Sequence, residues 1–361
     1  MPRRFRVTGA LLLTLVLITA ACGDKKDDDS ASSTTAAGAS SDLTSCQVTD
    51  TGGVDDKSFN QTAYAGAQKA EKDLGIKAKV LESTTKNDFA PNINAFLKQK
   101  CSIIVTVGFL LGDATAAAAT KNPNQKFAIV DNDFFDSDAN KDVSYKNVKE
   151  LTFKTDEAAF LAGYVAAGTS KSGKVGTYGG LNIPTVTIFM EGFRQGVLQY
   201  DKDTGKTVKV IGWDGKDGLF TGDFEDQDKG RQTTESLLDE GADVVMPVAG
   251  PVGLGSVEAV KATSGSASLV WVDTDGCVSV PDACKYLLTS VEKKMDTAVY
   301  DVIKSVSDDS YTGGKYVGTL KNDGVGLAPY HDFDSKVPAD LKAKVEDYKA
   351  KIIAGTYTIG G

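Results

Sequence analysis

The chain has 361 residues, of which 41% are hydrophobic and 25% charged, and its formal net charge is −9 at pH 7. This length suits two globular domains of about 100–200 residues each, and the apolar fraction excludes disorder for most of the chain. An acidic chain with a single histidine is poorly suited to binding nucleic acid or to histidine-dependent catalysis.

The N-terminus has the features of a secretory signal peptide over residues 1–21. Basic residues precede the apolar run LLLTLVLI at 11–18, which is too short for a membrane span. The small residues Thr19-Ala20-Ala21 then precede Cys22, as at the processing site of bacterial lipoproteins. We therefore expect Cys22 to become the lipidated, palmitate-bearing N-terminus of the mature protein. The alternative is an ordinary signal peptide cut near Ala21.

The residues after Cys22 are small, polar or charged (GDKKDDDSASSTTAAGASSD, 23–42) and cannot form a core. We expect residues 22–42 to be a disordered tether between the cell membrane and an extracytoplasmic domain.

Four cysteines remain once Cys22 carries lipid. Disulfides persist outside the cytoplasm, and four cysteines allow three pairings. Cys277 and Cys284 are close enough in sequence to close a short loop. Cys46 and Cys101 each begin an apolar run, and neighbouring parallel strands would place these starts side by side. We expect all four to form disulfides; the alternative is four free buried thiols.

From residue 43 onward, apolar runs alternate with helical patterns, which indicates parallel sheets covered by helices. In the first series we predict strands at 46–50, 77–83, 102–108, 126–132 and 148–153, with helices at 58–74, 89–99 and 112–120. In the second series we predict strands at 174–180, 207–214, 242–250 and 268–275, with helices at 156–169, 184–200, 227–240 and 254–263.

The remaining residues are too few for a third domain and are expected to complete the two lobes. For them we predict a helix at 287–306, a strand pair within 316–330 and a terminal helix at 338–354. We assign residues 43–154 plus about 285–310 to lobe 1, and 155–284 plus about 311–361 to lobe 2. The predicted fold is α/β with two doubly wound lobes, whose ligands bind beyond the carboxyl ends of the strands.

The end of the first predicted strand carries side chains suited to a planar ligand. Asp50 ends this strand, and Ser58 opens the following helix with Gln61 at capping-box spacing. Phe59 offers a flat apolar face, while Asp50 and Asn60 offer a polar edge. This set suits a heterocycle; the alternative is that Ser58 and Gln61 only cap and Phe59 only packs.

Other predicted strand ends carry acidic residues or glycine. Asp131 and Asp133 end a strand of the first lobe, and Asp273 and Asp275 end one of the second. Paired carboxylates can hold sugar hydroxyls, bind a metal or transfer protons. Gly250 opens the run GPVGLG, which lacks the GK[ST] ending of a phosphate-binding loop.

Motifs of the common enzyme and metal sites are absent from the sequence. There is no GxSxG, HExxH or CxxC motif. We expect neither catalysis nor a bound metal or other cofactor.

The segment at 50–61 (DTGGVDDKSFNQ) is similar to the opening motif of the basic membrane protein family of lipoproteins. These are substrate-binding components of ABC transporters, and their best-known members bind purine nucleosides. The resemblance continues in order through FAIVDN, DEAAFLAG, PTVTIFMEGFRQG, WVDTD and TSVEK, and covers the whole mature domain. It implies a type I periplasmic-binding-protein fold, with two Rossmann-like lobes joined by three hinge crossings.

The resemblance also implies contacts to the base of the ligand. Asp50 and Asn60 would hydrogen-bond to the base edge, while Phe59 and Phe189, one from each lobe, would sandwich the ring.

On the sugar side, the resemblance implies that Asp273 binds the ribose hydroxyls and that Lys293 reaches the same sugar. The backbone of Gly250 would approach the ribose, and Asp131 lies at the corresponding strand end.

The chain departs from the family pattern at two places beside the sugar end. Pro251-Val252 interrupts a turn that commonly reads AGGTG, and Gly276-Cys277 stands where the family usually has glutamine after Asp275.

We therefore expect a monomeric, lipid-anchored substrate-binding protein that closes around a nucleoside, a purine nucleoside in the first place, and delivers it to an ABC permease. Three alternatives stay open. They are a receptor for a free base or a sugar-like signal, an extracellular hydrolase on a similar scaffold, and a ligand-sensing partner of a surface signalling protein.

Overall fold

The computed structural model describes residues 42–136 and 140–360. The predicted signal peptide, Cys22 and the predicted tether as far as residue 41 lie outside the described residues.

Strands and helices alternate along the chain as the apolar patterns predict. The first series is β1 (Thr44–Thr49), α1 (Phe59–Leu74), β2 (Lys77–Leu81), α2 (Lys86–Lys98), β3 (Ile103–Val107), α3 (Gly112–Lys121), β4 (Lys126–Val130), β5 (Phe135–Asp136), β6 (Lys141–Asp142) and β7 (Val148–Phe153). The second series is α4 (Thr155–Thr169), β8 (Lys174–Gly179), α5 (Pro184–Thr204), β9 (Lys209–Ile211), α6 (Gln227–Asp239), β10 (Val244–Val248), α7 (Gly253–Lys261), β11 (Ser268–Asp273), α8 (Gly276–Ser279) and β12 (Leu287–Lys293). The chain continues with α9 (Met295–Ser307), β13 (Gly314–Gly318), β14 (Val325–Leu327) and α10 (Ala339–Ile353).

These elements form two lobes, each built on a six-stranded sheet. The strand order is β13-β7-β4-β3-β1-β2 in the first sheet and β14-β12-β11-β10-β8-β9 in the second. All pairings within these two sheets are parallel except that of β12 with β14. The chain crosses between the sheets after β7, after β12 and after β13. Two doubly wound lobes with three crossings confirm the predicted fold class.

The C-terminal part differs from the prediction at two places. Residues 287–306 are not one helix, because β12 lies in the second sheet before α9 begins. The strand pair predicted within 316–330 is not a hairpin, because β13 pairs with β7 and β14 pairs with β12. The first sheet therefore takes its strands from within 44–153 and from 314–318, and the second takes its strands from within 174–293 and from 325–327. Since β12 is buried on both faces, its sequence lacks the alternation that marks a strand.

Two disulfides are present, with the pairings favoured by the spacing. Cys46 on β1 bonds to Cys101, just before β3, and these strands are parallel neighbours. Cys277 bonds to Cys284 and closes a loop between β11 and β12. The first disulfide lies in the core of lobe 1, where both cysteines are buried.

Candidate ligand-binding site

A cavity lies between the lobes, at the carboxyl ends of the strands in both sheets. It is lined by residues from β-strand ends and from the helices that follow them. All eight ligand-binding residues expected from the sequence line it: Asp50, Phe59, Asn60, Asp131, Phe189, Gly250, Asp273 and Lys293.

Two phenylalanine rings reach the cavity from opposite lobes. Phe59 lies in the first turn of α1, and Phe189 lies on α5, where it is 2% exposed. The Lys293 ammonium is 4.7 Å from the ring centroid of Phe59 and 5.3 Å from that of Phe189. The two rings thus lie close to the same ammonium group. A flat ligand could contact both rings only when the two lobes are close together.

A buried charge network crosses the cavity beside these rings. Lys293 Nζ is 2.5 Å from Asp131 Oδ2 and 3.3 Å from Asp273 Oδ1. Burial disfavours the ammonium, but the two carboxylates outweigh it, so the pKa of Lys293 lies above its ordinary value. Lys293 and Asp273 belong to lobe 2 and Asp131 to lobe 1, so the network joins the lobes.

The two carboxylates of this network stand on unusual backbone. Asp131 has φ +62° and Asp273 has φ +70°, in the left-handed region that residues with a side chain seldom adopt. Asp131 follows β4 and Asp273 ends β11, so the left-handed backbone conformation turns the chain sharply beside the cavity. Strained backbone of this kind is found most often at functional sites.

Asp50 and Asn60 form the polar edge at the other side of the cavity. Asn60 Nδ2 donates to Asp50 Oδ1 at 2.9 Å. Burial raises the pKa of Asp50 to about 8, although the bond from Asn60 opposes the shift. Gly108 lies against this carboxyl group with φ +120°, and a Cβ atom there would be 2.3 Å from Asp50 Oδ2. Only glycine therefore leaves room for the carboxyl group.

The start of α1 is capped by Asp56 rather than by the predicted pair of Ser58 and Gln61. The Asp56 carboxylate accepts from the backbone N–H groups of Ser58, Asn60 and Gln61. Burial raises the pKa of Asp56 to about 6, against these three bonds. The Ser58 hydroxyl is freed for a different contact and donates to Asp273 Oδ2 at 2.8 Å, in the other lobe. The capping-box prediction was wrong because the Asp56 carboxylate, and not the Ser58 side chain, accepts from the backbone N–H groups at the start of α1.

The second-lobe turn that departs from the family pattern still lines the cavity. Gly250 opens a short 3-10 turn with φ +54°. Pro251 contacts the first lobe at Gly52, where a Cβ atom would lie 3.3 Å from Pro251 Cγ. The proline thus packs at the junction of the lobes, and Gly250 keeps its place on the cavity wall.

Phe224 is a cavity residue that the sequence analysis missed. It lies in the long loop between β9 and α6, whose glycines and acidic residues show no regular pattern. Thr221 and Gly222 hold this loop to the end of β8 by donating to the carbonyls of Gly179 and Gly180. Phe224 lines the inner cavity and, with Thr51, also an outer cavity at its mouth. No local sequence signal distinguishes it from the other loop residues.

Asp275, Cys277 and His331 are the only group of possible metal ligands that lie close together within the described part of the chain. Cys277 is bonded to Cys284 and cannot supply a thiolate. His331 Nε2 lies 2.7 Å from Asp275 Oδ2, so these two side chains already bind each other. These three residues could therefore supply at most two ligands to a metal ion.

Within residues 42–136 and 140–360, none of the helices combines the length and the apolar character that crossing a membrane requires.

Comparisons with known proteins agree with this geometry. The family described as "ABC transporter substrate-binding protein PnrA-like" (Bmp) matches residues 43–360. The chain is 34% identical over 334 residues to a CD4+ T-cell-stimulating antigen of Listeria monocytogenes, covering 88% of each chain. It is 33% identical over 336 residues to the ABC transporter nucleoside-binding protein BmpA of Lactococcus lactis, covering 88% of this chain and 89% of the relative.

A solved structure is also similar throughout. It is an ABC transporter solute-binding protein from Aeropyrum pernix, with a TM-score of 0.78 and 26% identity, covering 88% of this chain and 92% of that one. The resemblance to basic membrane proteins is thereby confirmed. Members of this family bind small ligands for ABC transporters and are not enzymes. The chain belongs to the family of PnrA-like ABC transporter substrate-binding proteins.

Proposed function

We propose that the protein is the lipid-anchored receptor of an ABC importer and that it captures a nucleoside between its lobes. The observation that carries this proposal is the position of Phe59 and Phe189, which reach one cavity from opposite lobes. Aromatic faces suit a flat heterocyclic base. A relative of similar length is named a nucleoside-binding protein, which supports the same ligand class.

In this proposal the base lies between Phe59 and Phe189, and its edge meets Asp50 and Asn60. The ribose lies toward Asp273, Lys293 and Gly250 of lobe 2, which line the same cavity. There Asp273 accepts from the ribose hydroxyls, Lys293 donates to the sugar and the backbone of Gly250 approaches it. Asp131 positions the Lys293 ammonium through their ion pair.

Closure of the lobes is the proposed response to the ligand. Each lobe supplies one aromatic wall, so both faces of a base are covered only when the lobes are together. A ligand that contacts both walls binds the closed form more tightly and shifts the population toward it. The closed protein then docks on the permease.

We further propose that lipid on Cys22 holds the protein at the outer face of the cell membrane. Residues 23–42 would act as the tether, since they contain no large apolar side chain. Cys22→Ser should move the full-length protein from the membrane fraction to the medium in its native host. A variant that stays in the membrane fraction would contradict the lipid anchor.

A thermal-shift screen with purified mature protein tests the ligand class. A panel of purine and pyrimidine nucleosides, free bases and sugars should show a rise in melting temperature with nucleosides, because the ligand binds only the folded state. Phe59→Ala should lose most of this shift, since base–aromatic stacking contributes about 1–3 kcal/mol.

Two controls accompany the screen. Phe333→Ala removes a ring outside the cavity and should keep the ligand-induced shift. Nucleosides incubated with the protein should be recovered unchanged, because hydrolysis would favour the enzyme alternative. A shift with bases or sugars but not with nucleosides would overturn the proposed ligand.

A further inference from the structure

Two residues just before α1 contact the opposite lobe. The hydroxyl of Ser58 in lobe 1 donates to Asp273 Oδ2 at 2.8 Å and lies 3.3 Å from the Val272 carbonyl oxygen. The carbonyl oxygen of Lys57 lies 3.4 Å from the indole nitrogen of Trp271. Trp271, Val272 and Asp273 are consecutive residues of β11, in the sheet of lobe 2. Lys57 and Ser58 therefore join lobe 1 to the end of one strand of lobe 2.

Ser58 lies behind the wall of the ligand cavity. It is fully buried and does not line the cavity, although its neighbours Asp56 and Phe59 do. Its hydroxyl is not needed at the helix start, because the Asp56 carboxylate caps α1. A buried hydroxyl generally has a hydrogen-bond partner, and the partner of Ser58 belongs to the other lobe. Ser58 can therefore act on a ligand only through another residue.

The carboxylate of Asp273 is held from both lobes. Lys293 Nζ, from the same lobe, lies 3.3 Å from Oδ1, and Ser58 donates to Oδ2 from lobe 1. A hydrogen bond to a carboxylate is about twice as strong as one between neutral groups. The bond from Ser58 exists only while the lobes are together, so it stabilises the closed form relative to an open form. It also fixes the carboxylate where Asp273 lines the cavity.

The backbone that carries this contact is itself unusual. Lys57 has φ +58°, in the left-handed region that residues with a side chain seldom adopt. Such a conformation persists only where the surrounding structure holds it, and it is found most often at ligand clamps and switch regions. The contact between the lobes is therefore made by a conformationally costly turn, which is typical of a functional position.

We infer that Ser58 is a positioning residue that acts through Asp273: its hydroxyl holds the lobes together and keeps the closed form populated before a ligand arrives. The inference rests on the proposed function for its ligand probe, adenosine, but closure itself can be measured without any ligand. Removing a hydrogen bond to a charged group should shift the equilibrium between the closed and open forms roughly tenfold toward the open form.

Small-angle X-ray scattering of the mature protein without ligand tests the inference. Ser58→Ala should give a larger radius of gyration than the wild type, because the open form gains population. Ser256→Ala is the matched control, since Ser256 is equally buried but bonds to Tyr178 and Thr234 within lobe 2, and it should keep the wild-type radius. An unchanged radius in Ser58→Ala, or the same increase in both variants, would overturn the inference.

Stopped-flow binding of adenosine adds a measurement that a merely structural role of Ser58 would not change. Ser58→Ala should release adenosine roughly tenfold faster, because the closed complex opens more often, and its association rate should be unchanged or higher. A dissociation rate equal to that of the wild type would overturn the inference. If adenosine and the other nucleosides do not bind the wild type, the proposed function fails, whereas the scattering comparison still decides the inference.

A second variant keeps the test decisive if Ser58→Ala does not fold. Trp271→Phe removes the other donor between the lobes and keeps an aromatic ring in the core. Its radius of gyration without ligand should exceed that of the wild type by a smaller amount, because the contact it removes is longer. An unchanged radius in this folded variant would then overturn the inference.

Discussion

Lys293 and Asp131 form a buried ion pair that joins the two lobes, with Nζ 2.5 Å from Oδ2. Both side chains are almost entirely removed from solvent, at 2% and 8% exposure. Asp273 Oδ1 lies 3.3 Å from the same ammonium nitrogen, so one cation pairs with two carboxylates. The lysine is therefore what allows two acidic side chains to approach each other inside the cavity.

Replacing Lys293 should destabilise the protein. Lys293→Met leaves Asp131 and Asp273 buried without a cation, and we expect a loss of about 3–5 kcal/mol in the free energy of unfolding. Urea denaturation at pH 7 measures it. Adding Asp131→Asn to this variant should restore part of the loss, because one of the two charges is removed. A loss below about 1 kcal/mol in Lys293→Met would show that the network is not buried in solution.

Ligand affinity should depend on the protonation of Asp50. Burial raises the pKa of this carboxyl group to about 8, so it can donate below that pH and loses the proton above it. The dissociation constant of adenosine, whose base does not titrate here, should rise above about pH 8. Asp50→Asn should remove this rise, since an amide does not titrate. An equal rise in both proteins would assign the effect to another group.

Phosphorylated nucleosides should be excluded. The cavity is lined by the carboxyl groups of Asp50, Asp56, Asp131 and Asp273, and Lys293, whose ammonium is the only one that lines it among the described residues, is already paired. A phosphate would lose its hydration without gaining a free cation. Adenosine 5′-monophosphate should therefore bind at least about 100-fold more weakly than adenosine in a calorimetric comparison. Comparable affinities would mean that the 5′ position points out of the cavity into solvent.

Phe224 should control how fast the ligand leaves. Its side chain and Thr51 line both the inner cavity and the outer one, so they lie between the ligand and the mouth. Phe224→Ala should raise the dissociation rate by roughly tenfold in stopped-flow displacement, because the exit widens. Phe220→Ala is the matched control: this ring lies in the same loop but packs 6.3 Å from Trp213, away from the cavity. Equal effects in the two variants would indicate a disturbed loop rather than a gate.

The two disulfides should differ in their contributions to stability. Cys46–Cys101 closes a loop of 55 residues and Cys277–Cys284 one of 7. The chain-entropy relation gives about 4 kcal/mol for the longer loop and about 2 kcal/mol for the shorter. Double serine variants of each pair, compared by urea denaturation, should follow this order. The reverse order would show that contacts of the short loop, and not chain entropy, decide its stability.

Several of the cavity residues could be predicted because they stand at strand ends or in the first turn of a helix. Asp50, Asp131 and Asp273 each close an apolar run, and parallel strands bring such positions to one edge of a sheet. Phe59 and Asn60 follow Asp50 within a single turn and helix start. Phe189 could be placed only through the family resemblance, since a phenylalanine on an amphipathic helix is more often a core residue.

Other features depended on contacts between distant parts of the chain. Ser58 stands where a helix cap belongs, yet its hydroxyl bonds to Asp273, 215 residues away, because Asp56 caps the helix instead. Phe224 reaches the cavity only because its loop is bonded to the end of β8.

The sequence by itself determined the two-lobed α/β architecture, the strand ends that carry the polar side chains and the family. These depend on local periodicity and on motifs that survive in order along the chain. The tertiary structure decided that 287–293 is a central strand, that Lys293 serves two carboxylates and that the Asn60 oxygen has no partner. Such properties depend on burial and on distances across the lobes, which no local pattern specifies, because desolvation and pairing are set by residues far apart in sequence.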